Sequence, residues 1–468
     1  MKRNDLLAGQ LPSRRIEGAR DAVRRDLSAS GRRLVVIDDD PTGPQAVHDV
    51  RVFMDWSVPT LREAFSSGDP VFFISTNSRS LSPEETARIS REAGQNLAEA
   101  ARLENAGILL ASRSDSTLRG HFPGEVDALV SGLGTPPDGI ILVPAFFEGG
   151  RYTIGDIHYA EQDGEPVPVH LTEFARDPSF SYRNSDLKQW VEEKTAGAVK
   201  AAEVLSLSLE LLRDGGPQAV TDMLANVSGG RYIIANAACY EDLEVLALGI
   251  AGAEKAGKRF VYRCSASFIK ARGGFEDMPL LTYRDLAPGE GPGLLIAGSY
   301  VEKTSRQLRT LLDSGLAGGV ELRVRNLENR ESAEKEIQAV ADSINKNLAA
   351  GTTTAVYTTR EILTLPGGDF RQTAAQTMQA LCRVAEKTER KPGFVIAKGG
   401  ITSIEVARTA LGARQAFAIG QILPGVPVVR LSGETKWTGI PYVVFPGNVG
   451  DDTSLLKAVQ VLRGLPQE

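Results

Sequence analysis

Leu34-Val35-Val36-Ile37-Asp38-Asp39-Asp40-Pro41-Thr42-Gly43 is the stretch that decides the fold. It begins as a short apolar run rich in β-branched residues, the pattern of a strand buried on both faces. It ends abruptly in three carboxylates and a Pro-Thr-Gly turn. In an open α/β sheet, ligands bind outside the carboxyl ends of the strands, and this is such an end. Adjacent acids repel one another, so they must face water, a metal ion or hydrogen-bond donors on a ligand. Asp-Pro-Thr-Gly is also sound turn chemistry, and one or two acids there would need no further reason. Three in a row at the end of a first strand ask for a function.

Working outward, the same pattern recurs. Apolar runs at residues 71–74, 108–111, 140–143, 232–235, 260–262, 294–297, 354–357, 394–397, 426–429 and 442–445 are interspersed with helix-length segments such as 84–103, 241–255, 331–348 and 371–388. Strands separated by helices imply βαβ units and an α/β fold with mainly parallel sheets flanked by helices. The 468 residues exceed a single core, which stops growing near ~250–300 residues. Asp285-Leu286-Ala287-Pro288-Gly289-Glu290-Gly291-Pro292 is dense in breakers and marks the boundary. The expectation is a domain over 1–287, whose first 33 residues form an arm with an exposed amphipathic helix at 14–27, and a second domain over 288–468. The active site is expected in the cleft between them.

Composition narrows the function. Apolar residues make up 42% and charged residues 24%, and the net charge of −6 is spread without blocks. A nucleic-acid partner would show a basic stripe. Cys239, Cys264 and Cys382 are widely spaced, which disfavours a disulfide framework or a thiolate metal site and fits a reducing cytoplasm. No stretch approaches the ~18 uninterrupted apolar residues of a membrane helix. The arginine-rich opening also carries Asp5, Glu17, Asp21 and Asp26, unlike a transit peptide.

Chemistry-bearing residues cluster after the strand patterns. Arg79 follows the second strand, where a planar guanidinium can clamp a carboxylate or simply pair with a local Glu; Ser82 and Glu85 cap the next helix. Ser112-Arg113-Ser114-Asp115-Ser116-Thr117-Leu118-Arg119-Gly120 combines hydroxyls, a carboxylate and guanidiniums, a good site for a polyol or an anion. Glu148 and Arg151 flank the Gly149-Gly150 pair. The four histidines match no zinc spacing. In the second half, Gly298-Ser299 lets a ligand approach the backbone. Lys398-Gly399-Gly400-Ile401-Thr402-Ser403-Ile404-Glu405 reads as a strand-to-helix phosphate cradle, with Thr402 and Glu405 fitting a capping box. Gly447-Asn448-Val449-Gly450 forms another glycine loop, and the following Asp451 and Asp452 would suit ribose, adenine or a metal-bound water. Neither the P-loop spacing nor the dinucleotide fingerprint follows the first strand of either domain.

Taken together and in order, Ile37–Gly43, Asn77-Ser78-Arg79-Ser80, Arg113–Gly120, Pro144-Ala145-Phe146, Gly150-Arg151-Tyr152-Thr153, Gly298-Ser299, Lys398–Ser403 and Gly447–Gly450 resemble the four-carbon acid sugar kinase family, ATP-dependent kinases of threonate, erythronate and 3-oxo-tetronate type acids. The resemblance implies an N-terminal acid-sugar domain and a C-terminal nucleotide domain. It implies that Asp40, Arg79, Ser114, Asp115, Ser116 and Thr117 meet the substrate. It likewise puts Ser299, Gly399, Gly400, Ile401, Thr402 and Gly447 or Asn448 on ATP. Arg113, Arg119 and Arg151 join the substrate set, with Arg79 and Arg113 or Arg119 on the acid's carboxylate. Asp39 or Asp40 would orient or deprotonate the attacking hydroxyl, Asp115 would orient the hydroxyls, and Mg²⁺ would bridge the phosphates. The chain departs from the family's usual form at Asp38, Pro41, Arg113, His121 and Ile401. The expected partners are a sugar acid and ATP, with no nucleic acid or membrane and with homodimerisation left open. A nucleotide-dependent oxidoreductase of a sugar acid and a non-catalytic sugar-acid-binding protein are the alternatives.

Overall fold

The opening stretch forms strand β1 (Arg32–Asp38), in which Leu34, Val35 and Val36 are wholly buried. The computed structural model that contains it describes residues 6–40, 43–299, 301–361, 363–366, 368–447 and 449–466. The chain divides into two compact units, Met1–Asp277 and Met278–Glu468.

In the first unit, β1 is joined by β2 (Val50–Phe53), β3 (Val71–Ser75), β4 (Gly107–Arg113), β5 (Gly139–Val143), β9 (Leu205–Leu207), β10 (Arg231–Ala235) and β11 (Phe260–Cys264). They run parallel in the order β2-β3-β1-β4-β11-β5-β10-β9. Parallel pairing requires crossovers, and helices such as Pro83–Leu103 supply them. That helix begins as its sequence predicts, with the Ser82 hydroxyl accepting from the Glu85 N–H at 3.2 Å, and buries Ile89, Ala93, Leu97 and Ala100. A separate antiparallel meander, β6 (Arg151–Ile154), β7 (Ile157–Gln162) and β8 (Glu165–Pro168), interrupts the alternation after β5.

The N-terminal helix spans Ala19–Ala29 rather than 14–27, because Gly18 in the left-handed region (φ 67°) starts it late. Its apolar stripe of Ala19, Val23 and Leu27 is buried, so only one face is exposed.

In the second unit, β12 (Leu294–Ala297), β13 (Gly318–Leu322), β14 (Thr354–Thr358), β15 (Val395–Lys398) and β18 (Pro441–Phe445) are parallel in the order β13-β14-β12-β15-β18. An antiparallel hairpin of β16 (Gln415–Leu423) and β17 (Val426–Ser432) continues from β18. The segment after Asp277 belongs with this unit. Leu281 and Leu286 enter its core, and the Leu281 N–H donates to the Gln421 carbonyl at 2.8 Å.

Candidate functional site

Strand order reverses at β1 in the first unit, where β3 lies on one side and β4 on the other, and at β12 in the second, between β14 and β15. Such reversals leave a crevice at the strands' carboxyl ends. Asp38 is in register with Ser75 and Arg113, and Arg113 with Cys264, so Asp39, Thr76 and Ser114 leave the sheet at one level.

The three aspartates have separate surroundings. The Asp38 side chain is 1% exposed, Asp39 is 8% and Asp40 is 23%. Arg113 Nη1 donates to Asp38 Oδ1 at 3.1 Å, and its Nη2 donates to Gln45 Oε1 at 3.0 Å. Two of the departures from the family's usual form are therefore each other's partners. Burial nevertheless lifts the Asp38 carboxyl to about 7, because desolvation outweighs the attraction of Arg113. Arg79 bridges the other two, with Nη2 to Asp39 Oδ1 at 2.5 Å and Nη1 to Asp40 Oδ2 at 2.9 Å. The Ser114 hydroxyl also donates to Asp39. Arg79, expected on the substrate's carboxylate, is thus engaged by Asp39 and Asp40, which follow β1, and Arg113 by Asp38.

The loop after β4 folds around Asp115, which accepts from the Thr117 hydroxyl and from Arg119 Nε at 2.7 Å. Arg79 and Arg119 hold its carboxyl well below the usual range against the opposing effect of burial, so it stays ionised. Gly120, at φ 129°, is where the loop closes on the acids: a Cβ there would lie 2.7 Å from Ser114 Oγ. The structure brings Asp39, Asp40, Arg79, Arg113, Ser114, Asp115, Ser116, Thr117 and Arg119 to this end of the first unit's sheet. Arg151 joins them through Phe174, whose ring is shared by the Arg119 and Arg151 guanidiniums at 5.1 Å and 5.8 Å.

Sequence reasoning missed the residues that hold this loop from behind. His158, wholly buried on β7, donates from Nε2 to the Ser116 carbonyl at 2.7 Å and pairs through Nδ1 with the Thr153 hydroxyl at 2.9 Å. Burial pushes its pKa down to about 4, so the ring is neutral. The Tyr182 hydroxyl donates to the Thr117 carbonyl at 2.7 Å. Arg263 at the end of β11 pairs with Glu125 at 2.8 Å. The alternation in Tyr152-Thr153 and His158-Tyr159 was the available signal for the meander.

In the second unit, Ala297 is in register with Lys398, and Lys398 with Phe445, so the glycine loops leave that sheet together. They border a cavity of about 330 Å³ lined by Ser299, Gly399, Gly400, Ile401, Thr402 and Gly447. Its far wall is apolar and hydroxyl-bearing, from Val324, Thr377, Met378 and Leu381. Asn448 lies outside the described residues, as do Pro41 and Thr42. Three local expectations are corrected. Gly399, at φ 118°, precedes the helix Gly400–Glu405, so Thr402 sits inside that helix and forms no capping box. Lys398 is wholly buried and donates to the Pro446 carbonyl at 2.5 Å, tying down the loop instead of facing a phosphate. Asp451 accepts from Thr453 and Ser454, and Asp452 pairs with Arg306 at 3.0 Å, so local groups occupy both acids. Arg360, unforeseen, donates from Nη2 to the Ser299 carbonyl at 2.7 Å and to Ser305 Oγ at 2.9 Å.

Among the described residues no group of three or more His, Cys, Asp or Glu side chains is arranged to hold a metal ion. No helix among them is long and apolar enough to cross a membrane.

Comparison with known proteins follows this division. Residues 34–272 match the family model of a sugar-binding N-terminal domain, and residues 294–455 that of a nucleotide-binding C-terminal domain. The chain is 25% identical over 458 residues to a D-erythronate kinase of Heliobacterium modesticaldum, covering 92% of this chain and 97% of the relative. It is 27% identical over 424 residues to a D-threonate kinase of Cupriavidus necator, covering 87% and 92%. The fold is also that of a Haemophilus influenzae protein (18% identity, 92% of this chain and 100% of the other, TM-score 0.62) and of a Salmonella typhimurium LT2 protein (17%, 91% and 98%, 0.67). With a sugar-binding domain followed by a nucleotide-binding domain, the chain belongs to the four-carbon acid sugar kinase family.

Proposed function

We propose that this protein transfers the γ-phosphoryl group of ATP to the terminal hydroxyl of a small, four-carbon sugar acid of the erythronate, threonate or 3-oxo-tetronate type. The observation that carries this reading is the ion cluster at the end of β1, in which Arg79 ties the partly exposed Asp40 to the buried Asp39 beside a hydroxyl-rich loop. The names of the relatives support the substrate class.

Phosphoryl transfer asks a protein for positioning and charge stabilisation more than for covalent chemistry. Asp40 is the most exposed of the three acids and takes the proton of the attacking hydroxyl. Asp39 works through Arg79, fixing the guanidinium that orients Asp40. Asp115, ionised and held by Thr117 and Arg119, accepts hydrogen bonds from the substrate's other hydroxyls. In the second unit, a cavity of about 330 Å³ falls within the ~300–1,000 Å³ of ligand pockets, and its apolar wall and rim of hydroxyls suit an adenine nucleoside. Mg²⁺ would come bound to the nucleotide's phosphates and supply charge neutralisation there.

The test is to follow ADP release by the purified protein with ATP, Mg²⁺ and a panel of four-carbon acids. Acid-dependent ADP from at least one member is expected; none from any member, at high enzyme concentration, would reject the reading.

A further inference from the structure

The guanidiniums around the first-unit site differ in one respect. Arg79 is neutralised by Asp39 and Asp40, Arg113 by Asp38, Arg119 by Asp115 at 2.7 Å and Asp177 at 3.5 Å, and Arg263 by Glu125. Arg151 has no carboxylate within salt-bridge distance among the described residues. Its Nη1 donates to the Gly149 carbonyl, and its Nε is buried with no hydrogen-bond partner. Burial pulls its pKa down, with the charge of Arg119 adding to the shift and that of Asp115 opposing it. A desolvated cation without a counter-charge is costly in a folded protein. Yet the guanidinium is held in place, against the Phe174 ring that Arg119 also contacts, and within electrostatic reach of Asp115. The local structure prepares Arg151 and leaves its charge unmet.

We propose that Arg151 receives the carboxylate of the substrate, so that this residue, rather than Arg79 or Arg113, makes the enzyme specific for acids over neutral polyols. The carboxylate supplies the missing counter-charge to a guanidinium already fixed by the Gly149 carbonyl. Asp115, beside it, would then repel a second carboxylate and accept hydroxyls, which suits a monoacid with several hydroxyl groups. The inference rests on the sugar-acid kinase reading and names the group that selects its substrate.

Two measurements on the full chain test it and keep the two ideas apart. Direct calorimetric titration with D-erythronate and D-threonate, and with erythritol as the uncharged probe, is run on the wild type, Arg151→Gln and Arg151→Lys, and ADP-release kinetics on the same set. The wild type is expected to bind an acid and not erythritol. Arg151→Gln should weaken acid binding and raise its KM on the order of 100-fold, with ADP affinity and melting temperature near the wild type; Arg151→Lys should recover part of the loss. Acid affinity and KM within threefold of the wild type in Arg151→Gln would overturn the inference while leaving the kinase reading intact. Arg151-dependent acid binding without ADP release would uphold the inference and reject the kinase reading. Neither binding nor turnover with any probe would overturn both.

Discussion

Arg79 and Asp39 are joined by two hydrogen bonds, Nη2 to Oδ1 at 2.5 Å and Nε to Oδ2 at 3.2 Å, while the remaining Nη1 reaches Asp40. One planar fork thus fixes two adjacent carboxylates at the end of β1. A lysine cannot reproduce that fork, so Arg79→Lys is not conservative here. It is expected to lower kcat by about 100-fold with ADP affinity unchanged. Steady-state kinetics beside nucleotide titration check this; a variant with wild-type turnover would remove Arg79 from the positioning role.

The same pair separates Asp39 from Asp40. Asp40→Asn removes the proton acceptor and should reduce kcat by ~10²–10⁴-fold, with little change in melting temperature. Asp39→Asn should reduce kcat and also lower the melting temperature, because Arg79 and Ser114 lose a buried acceptor. Equal thermal stability in the two variants would contradict the division of roles.

His158 gives a pH signature. Its folded pKa, about 4, lies below the ordinary histidine value because burial disfavours the imidazolium. The stabilisation it contributes is complete above the unfolded pKa and is lost as pH falls toward the folded one. Between pH 7 and pH 4, the difference in unfolding free energy between wild type and His158→Gln should therefore shrink by up to about 3 kcal/mol. Denaturant melts across that range provide the check, and a pH-independent difference would mean that His158 is not the buried neutral group described.

Arg360 makes a parallel prediction for the second unit. It holds the Ser299 carbonyl at 2.7 Å and Ser305 Oγ at 2.9 Å behind the cavity. Arg360→Gln frees that turn and is expected to weaken ADP binding by about tenfold or more, leaving acid binding to the first unit unchanged. Titration with ADP and with the acid on one preparation distinguishes this from general unfolding.

Strands buried on both faces were legible because β-branched runs such as Leu34–Ile37 and Val71–Ile74 have few other readings. Glycine loops and polar clusters at their ends were legible as strand-end loops, because Gly399-Gly400 and Asp39-Asp40 interrupt the apolar runs. The meander Arg151–Pro168 and the hairpin strand Gln415–Leu423 were not: the meander strands are four to six residues long and joined by tight turns, and Gln415–Leu423 alternates buried with half-buried residues and so shows no continuous apolar run. Partner choice within the site was also hidden. No pattern in sequence says that Arg113 faces Asp38 across 75 positions, that Arg79 is taken by Asp39 and Asp40, or that Lys398 points into the core. Those facts depend on strand register, which a single chain does not encode locally.

In the proposed reaction a phosphoryl group is delivered to the far end of a four-carbon acid. Its most direct test is carbon and phosphorus NMR of the product formed from ATP and the acid that supports ADP release. The expected product is a phosphate monoester whose phosphorus couples to the terminal carbon and its CH2 protons, with the carboxylate and the inner hydroxyls unmodified. Phosphorus coupled through three bonds to an inner CH proton instead of the terminal CH2 protons, an acyl phosphate, or ADP with free phosphate and unchanged acid would contradict it.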